Sequence, residues 1–509
     1  MINKFHSQKN FIFIFFFIFV ITFLIRFPYL FRSVYNWDEA SYLIGAYLIK
    51  TNHIPWIDFW GNKSPFCYYV YYLLLEIFGQ SIFSIRLAAV FVISISTYIL
   101  YLIISKFTED FYIVILSILL CILLQSTVLI NGKSLTTEHL ALIPILFSFY
   151  LSIYSEKNFN YFIIGVLIGI AVFIRSNLAF LSIIILLIPF FDKNNYVEKV
   201  KNLLLIIGGG LFILSLNILF FLSTNIDVFI KSFFFYPLEM SYLKNDKNFL
   251  IHLISIIRVS LAPVDLNIFI RFLFWFLGFA GFFYCILNFN KNKSFYIISI
   301  IYFTGISLSI VFSKNPFPHY LIQLIPFIVI FVFIFIINSR IKSSLLFTLT
   351  IAIVVSSISI FLDYSNLYKK YKSYETVYYD DTYKIKNYIT KLNLNQNYTI
   401  LATTDNTQLL YFLLEKRPLS KMIHTSDMAR EVPLKYAYGE VKNKQSEIYY
   451  VLNQEPDLIL IDIDLNNFLK RYKFKNDILA YFSNKYELNY YFETNEDRFS
   501  NVYLYKKIN

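Results

Sequence analysis

The feature that most constrains this chain is the recurrence of long apolar runs. Residues 11–25 carry no charge, and comparable runs return as far as Phe361. Each approaches the ~20 apolar residues that cross ~30 Å of hydrocarbon. Of the 509 residues, 57% are hydrophobic and only 15% are charged. A water-soluble protein of this length carries more charge and shorter apolar runs. The expectation is a polytopic α-helical membrane protein with about eleven spans, at 11–30, 82–105, 109–130, 138–155, 161–174, 177–191, 203–223, 267–289, 295–313, 319–338 and 343–362. Lys4 and Lys9 precede the first run as they would in a signal peptide, but the run is too long for a typical h-region and lacks a small-x-small site after it. It reads as an uncleaved first helix.

Charge sets the topology. The net charge of +12 would suggest nucleic-acid binding in a soluble protein. Here, with the N-terminus placed in the cytoplasm, the inside loops hold Lys106, Lys157, Lys193, Lys199, Lys201, Lys291, Lys293, Arg340 and Lys342. Every inside loop then carries a base, as the positive-inside rule asks, and no nucleic-acid partner is expected. Residues 65–80 are apolar enough for another span, but they are short, contain Glu76, and would reverse the charge pattern. They read as a helix at the outer interface. The outside segments are then 31–81, 131–137, 224–266 and everything after 362, with short turns at 175–176 and 314–318. The 224–266 loop mixes apolar runs with Lys231, Lys244, Asp246, Lys247 and Arg258, and reads as partly interfacial.

Two compositional features carry no chemistry. The abundance of Phe (57) and Tyr (42) fits AT-rich codon usage and is no evidence for a ligand site. Cys67, Cys121 and Cys285 lie far apart in or beside apolar segments, with neither a disulfide framework nor zinc spacing.

From about residue 363 the texture changes. Helical patterns at 382–392, 408–415 and 477–485 alternate with strand-like runs at 398–403, 457–462, 488–492 and 502–505. This predicts a C-terminal α/β domain over 363–509, outside the membrane and large enough for its own core, following a membrane domain over 1–362 that includes the outer loop. The tail has no glycine-rich phosphate loop and no metal-ligand spacing.

Four polar features share the outer face. The first is Asn36-Trp37-Asp38-Glu39-Ala40, followed by Ile57-Asp58-Phe59-Trp60-Gly61-Asn62-Lys63-Ser64-Pro65. Adjacent carboxylates at the edge of the hydrocarbon are partly desolvated, which raises a carboxylate toward the range of a useful general base; solvated loop acids are the bland alternative. The second is Glu138-His139 at a helix start, where a carboxylate also serves simply as a dipole partner. The third is Arg175. The run 161–174 before it spans only about 21 Å against ~30 Å of hydrocarbon, so the turn sits in a thinned bilayer or a wet cavity. An arginine at that depth marks function or an internal salt bridge, with Asp38 or Glu138 as the candidate partner. The fourth is Pro316-Phe317-Pro318-His319-Tyr320, entering a late span. Any one of these has a structural reading; their convergence on one face points to a site.

WDEA, then D-x-W-G-x-K-x-P some twenty residues on, an Arg ending a short fifth helix, and HYLIQLIPF entering a late one together resemble the GT-C class of membrane glycosyltransferases. Within that class it resembles the bacterial protein O-mannosyltransferase, lipid A aminoarabinose transferase and Rgt-like group. In the tail, Thr407-Gln-Leu-Leu-Tyr411, Arg417-Pro418 and the DLILID strand extend the likeness more weakly.

The resemblance implies transfer of a sugar from a polyprenyl-phosphate carrier, with inversion, to a lipid, glycan or protein acceptor on the outer face of a bacterial cytoplasmic membrane. Asp38 matches the family's acceptor-activating acid, with Glu39 beside it as a second catalytic candidate. Lys63 matches the family's Lys before Pro, although Ser64 intervenes here. Lys63 and Arg175 would neutralise the leaving phosphate. Asp58, Glu138, His139, His319 and Tyr320 complete the candidate donor- and substrate-binding set. Asp38, Glu39 and Glu138 could ligate a divalent ion, but the resemblance implies no cofactor, and none is expected. A lipid-phosphate sugar is already activated, so an acid–base group, cations and a membrane-level cleft suffice. The rival readings are a flippase or transporter of lipid-linked sugars, disfavoured because no internal repeat is visible, and a non-catalytic assembly protein. Neither the sugar nor the acceptor is written in the sequence.

Overall fold

The computed structural model describes residues 8–126, 132–154, 158–191, 195–242, 268–290, 292–313, 317–374, 376–378, 380–404, 406–439, 443–494 and 500–508. Because lipid offers no hydrogen bonds to the backbone, apolar segments that cross it must satisfy their own amides, and they do so here as helices. In chain order the first helices are α1 (Gln8–Arg26), α2 (Trp37–Lys50), α3 (Pro65–Phe78), α4 (Ile82–Phe107), α5 (Phe111–Ser126), α6 (Thr137–Tyr154) and α7 (Phe159–Ile174). Among the described residues, seven helical segments are long and apolar enough to cross a membrane: Phe11–Tyr29, Ile82–Phe107, Thr137–Tyr154, Tyr196–Leu222, Ser294–Phe312, Pro318–Ile337 and Lys342–Tyr374. Shorter apolar helices at Phe111–Ser126, Phe159–Ile174, Ser176–Phe191 and Phe272–Leu287 coincide with the remaining expected spans. The protein is a polytopic helical membrane protein with a small sheet near its C-terminus.

The chain divides into two compact units. The first comprises Met1–Leu30, Arg86–Phe220 and Leu243–Tyr368. Its helices leave large side chains such as Phe13, Phe272, Phe276 and Phe283 exposed, a surface suited to acyl chains rather than water. Inside, close approach depends on glycine, because helices in lipid associate by packing rather than by expelling water. A β-carbon at Gly165 of α7 would collide with the Ile206 carbonyl of helix Tyr196–Leu222, and one at Gly281 in helix Ile268–Leu287 with the Phe331 carbonyl of helix Ile325–Ile337.

At the end of α1, fully buried Arg26 donates to the carbonyl oxygens of Gly132 (2.6 Å) and Lys133 (2.7 Å). Lys133 in turn lies 4.1 Å above the Tyr29 ring and 3.4 Å from Asp363, to which the Tyr29 hydroxyl also donates. This clamp fixes the turn that leads into α6.

The second unit comprises Phe31–Ile85, Phe221–Tyr242 and Lys369–Asn509. The WDEA segment, expected in a loop, forms the first turn of α2, capped by Asn36, whose side chain accepts from the Asp38 amide at 3.0 Å. An N-cap of this kind satisfies an amide with no intrahelical partner. Helix α3 starts at Pro65, which lacks only an amide that would be unpaired anyway, and Tyr68 packs where a β-carbon at Gly45 of α2 would sit.

The chain between these helices pairs with the tail: the Trp60 amide donates to the Lys421 carbonyl (2.7 Å) and the Ile423 amide to the Trp60 carbonyl (3.0 Å). Four strands, β1 (Ile400–Ala402), β2 (Leu458–Ile461), β3 (Tyr486–Phe492) and β4 (Val502–Lys507), form one sheet in the order β1-β2-β4-β3. The β1–β2 pair is parallel, with Leu401 opposite Ile459; β2–β4 and β4–β3 are antiparallel. The tail helices expected at 382–392, 408–415 and 477–485 are present as Asp381–Lys391, Leu410–Leu413 and Asn476–Lys485. The 224–266 segment is helical over Ile226–Tyr242, through a π-helical turn at Lys231–Phe235. Lys244, Asp246, Lys247 and Arg258 of that segment lie outside the described residues, as do Asn131 and Pro316.

Candidate active site

The candidate residues fall into two clusters, one in each unit. In the unit that includes the tail, the helical start at Asn36 places Asp38 and Glu39 on different faces of α2. Glu39 is turned into the interior, at 2% exposure, while Asp38 stays half-buried at the helix N-terminus, where the backbone dipoles favour negative charge. Lys63 Nζ donates to Asp38 Oδ2 at 3.1 Å. Side-chain exposures of 22% and 23% leave both groups within reach of an incoming molecule. Between α2 and α3, Asp58 Oδ2 accepts the Ile54 amide at 2.7 Å, so it shapes the turn that carries Trp56 (φ 67°). Burial pushes the Lys421 amine below its ordinary value, and Asp58 pulls it back up.

The second cluster, in the helical unit, is built at three helix breaks. Glu138 and His139 lie in the first turn of α6. Arg175 interrupts the chain after α7 in an extended conformation (φ −147°). His319 and Tyr320 lie in the 3₁₀ segment Pro318–Leu324. Arg175 Nη1 is ion-paired with Glu138 Oε1 and donates to Thr137 Oγ1 at 3.2 Å. Its guanidinium lies 4.0 Å from the centre of the Tyr320 ring, and His319 Nε2 is 3.5 Å from Glu138 Oε1. All of these side chains are buried. A buried pair with supporting hydrogen bonds holds its geometry firmly, because loss of either partner strands the other charge. Of the two candidate salt-bridge partners, Glu138 is paired with Arg175. His139 is differently placed: Nε2 lies 3.2 Å from the Gln125 carbonyl and Nδ1 3.0 Å from Thr136 Oγ1, which ties α5 to the start of α6.

The structure adds residues that the sequence reading missed. His424 Nε2 stands 3.7 Å from Asp38 Oδ1. Asp427 and Arg430 belong to the same turn of the tail. Buried Gln408 donates to Ser41 Oγ of α2 at 2.7 Å and to the Ile423 carbonyl at 3.0 Å. Two signals were available: histidine is scarce, with six in the chain, and Gln408 lies inside the tail motif already singled out. Among the described residues no three His, Cys, Asp or Glu side chains come together as a metal-binding group.

Comparison with known proteins places this geometry in a fold. The family described as dolichyl-phosphate-mannose-protein mannosyltransferase matches residues 62–220. No curated protein matches the chain. The crystal structure of ArnT from Cupriavidus metallidurans bound to undecaprenyl phosphate is similar over 99% of each chain, with a TM-score of 0.59 at 11% identity. The apo structure of the same ArnT is similar over 97% of each chain, with a TM-score of 0.60 at 10% identity. The chain therefore shares the fold of these ArnT structures over essentially its whole length.

Proposed function

We propose that this protein is an inverting membrane glycosyltransferase that moves a sugar from a polyprenyl-phosphate carrier to an acceptor on the outer face of the cytoplasmic membrane. In this reading the N-terminus is cytoplasmic and the tail extracytoplasmic. The observation that carries it is the half-buried Asp38–Lys63 pair at 3.1 Å, at a capped helix N-terminus, in a chain with the fold of ArnT. The ArnT structure holds undecaprenyl phosphate, which supports a carrier of the same class here.

Asp38 takes the proton of the acceptor hydroxyl as that oxygen attacks the anomeric carbon. The bond from that carbon to the phosphate oxygen breaks on the opposite side, which gives inversion in a single displacement. Lys63, paired with Asp38, exchanges the carboxylate for the phosphate when the donor binds. That exchange frees the acid to act as a base and places a cation on the leaving group. Within the helical unit, Arg175 is a separate candidate cation, held in position by Glu138 and Tyr320, with His319 beside them. Long basic side chains suit this work, because their stems tolerate apolar surroundings while the charged ends reach an interfacial phosphate.

The test is turnover in proteoliposomes, offering a panel of synthetic polyprenyl-phosphate hexoses, pentoses and amino sugars together with cell-envelope extract as acceptor, and measuring release of polyprenyl phosphate. One donor of the panel should be consumed, and Lys63→Met should raise its KM by about tenfold or more, in line with loss of a charge-assisted contact worth about 1.5–3 kcal/mol. Consumption of no donor, or an unchanged KM in Lys63→Met, would overturn the assignment.

A further inference from the structure

The tail lends the first-loop cluster polar groups that the transfer chemistry, as described, does not use. His424 immediately precedes the 3₁₀ turn Thr425–Ala429. Its Nε2 faces Asp38 Oδ1 at 3.7 Å, and its Nδ1 lies 2.8 Å from Ser426 Oγ. Lys63 holds the other carboxylate oxygen, so an ammonium and an imidazole address the two oxygens of one acid. Asp427, in the same turn, is 0% exposed. Neither of its carboxylate oxygens has a hydrogen-bond partner among the described residues; Arg430 Nη1 stands 3.6 Å from Oδ1.

A carboxylate so placed is costly to bury, and in a native protein such a group asks for an explanation. Burial pushes the Asp427 carboxyl above its usual range, while His424 and Arg430 pull it back. The geometry is fixed twice over. The Asp427 amide donates to the His424 carbonyl at 2.9 Å, and the strand-like pairing of Ile423 with Trp60 anchors the residue before His424.

We propose that His424 is a positioning residue for Asp38 that also clears its proton. The inference rests on the reading of Asp38 as the acceptor base. In each turnover the acceptor O–H proton moves to Asp38 as the new bond to the anomeric carbon forms and the bond to phosphate breaks. Asp38 passes that proton to the unprotonated Nε2 of neutral His424, across a gap that closes by a small rotation of either side chain. The imidazolium then gives a proton to water, which leaves Asp38 ionised and His424 neutral. The tail is thereby part of the catalytic machinery.

The experiment uses the full chain in the same proteoliposome assay, with the panel donor that the wild type consumes, and compares His424→Gln, His424→Ala and Asp38→Asn. Glutamine keeps a hydrogen-bond donor near Asp38 but cannot carry the proton. His424→Gln should therefore lose about tenfold or more in kcat while its donor KM stays within about twofold. Added imidazole should restore a substantial part of kcat in His424→Ala, an effect that a purely structural histidine would not show. Wild-type kcat in His424→Gln, or an unrescued loss in His424→Ala, would overturn the relay. The two readings fail separately: an inactive Asp38→Asn beside a normal His424→Gln removes the relay alone, whereas an active Asp38→Asn removes the base assignment beneath it.

Discussion

Removing Arg175 alone leaves the Glu138 carboxylate buried at 1% exposure without its cation, so Arg175→Ala measures two things at once. The stranded charge should cost about 3–5 kcal/mol of stability, read as a lower thermal midpoint in detergent, whether or not arginine touches the donor. The informative variant is the double replacement Glu138→Met/Arg175→Met, which removes both charges and keeps apolar bulk. It should recover most of the lost stability and still fail to turn over the donor. Activity in the double variant would reduce the pair to a structural brace.

At this scale the sequence was partly legible. Arg175 stood out because the apolar run before it is too short for the bilayer, and Glu138 was one of its two candidate partners. The other candidate, Asp38, belongs to the other unit, where Lys63 and His424 are its neighbours. The division of labour between Asp38 and Glu39 was written in the sequence as well, since Asn36 with Glu39 three residues later is a helix-start pattern. It becomes readable only once the segment is taken as a helix rather than a loop.

Among the elements, the spans were legible because hydropathy reports the solvent that each helix meets. Their ends were less so. Hydropathy falls after residue 362, yet the helix Lys342–Tyr374 continues through Leu-Tyr-Lys-Lys-Tyr-Lys: leaving an apolar medium changes which residues are suitable without ending the helix. The strands of the tail were legible as short apolar runs such as Leu458–Ile461, buried along its whole length. The helices Glu431–Tyr438, Lys444–Leu452 and Leu465–Arg471 were missed, being two turns or so long and mixed in composition, with too few residues to establish a period.

Helix packing offers a sharp test. Gly281→Leu places side-chain atoms where the Phe331 carbonyl now sits, and overpacking of this kind costs about 1–3 kcal/mol or more. The thermal midpoint in detergent should fall, whereas Gly439→Ala, with nothing within 4 Å of the new carbon among the described residues and only its φ of +76° against it, should cost less. Equal midpoints for the two variants would show that the close helix approach does not contribute to stability.

For the molecule as a whole, the texture change near residue 363 was visible, but not that residues 31–85 fold with the tail in one compact unit. That grouping depends on pairings between positions at opposite ends of the chain, such as Trp60 with Lys421 and Ile423, and Ser41 with Gln408. No local pattern encodes such pairings. The same distance in sequence hid His424 from the first reading, although it stands 3.7 Å from the acid on which the proposed chemistry turns.

That acid is the centre of the account, and Asp38→Asn tests it most directly. The substitution keeps shape and a hydrogen-bond acceptor for Lys63, and at this half-exposed position the lost ion pair should cost about 1 kcal/mol or less. With folding intact and donor KM little changed, kcat for sugar transfer should fall about 100-fold or more, the usual contribution of a general base. Turnover near the wild-type rate in a folded Asp38→Asn protein would contradict the account.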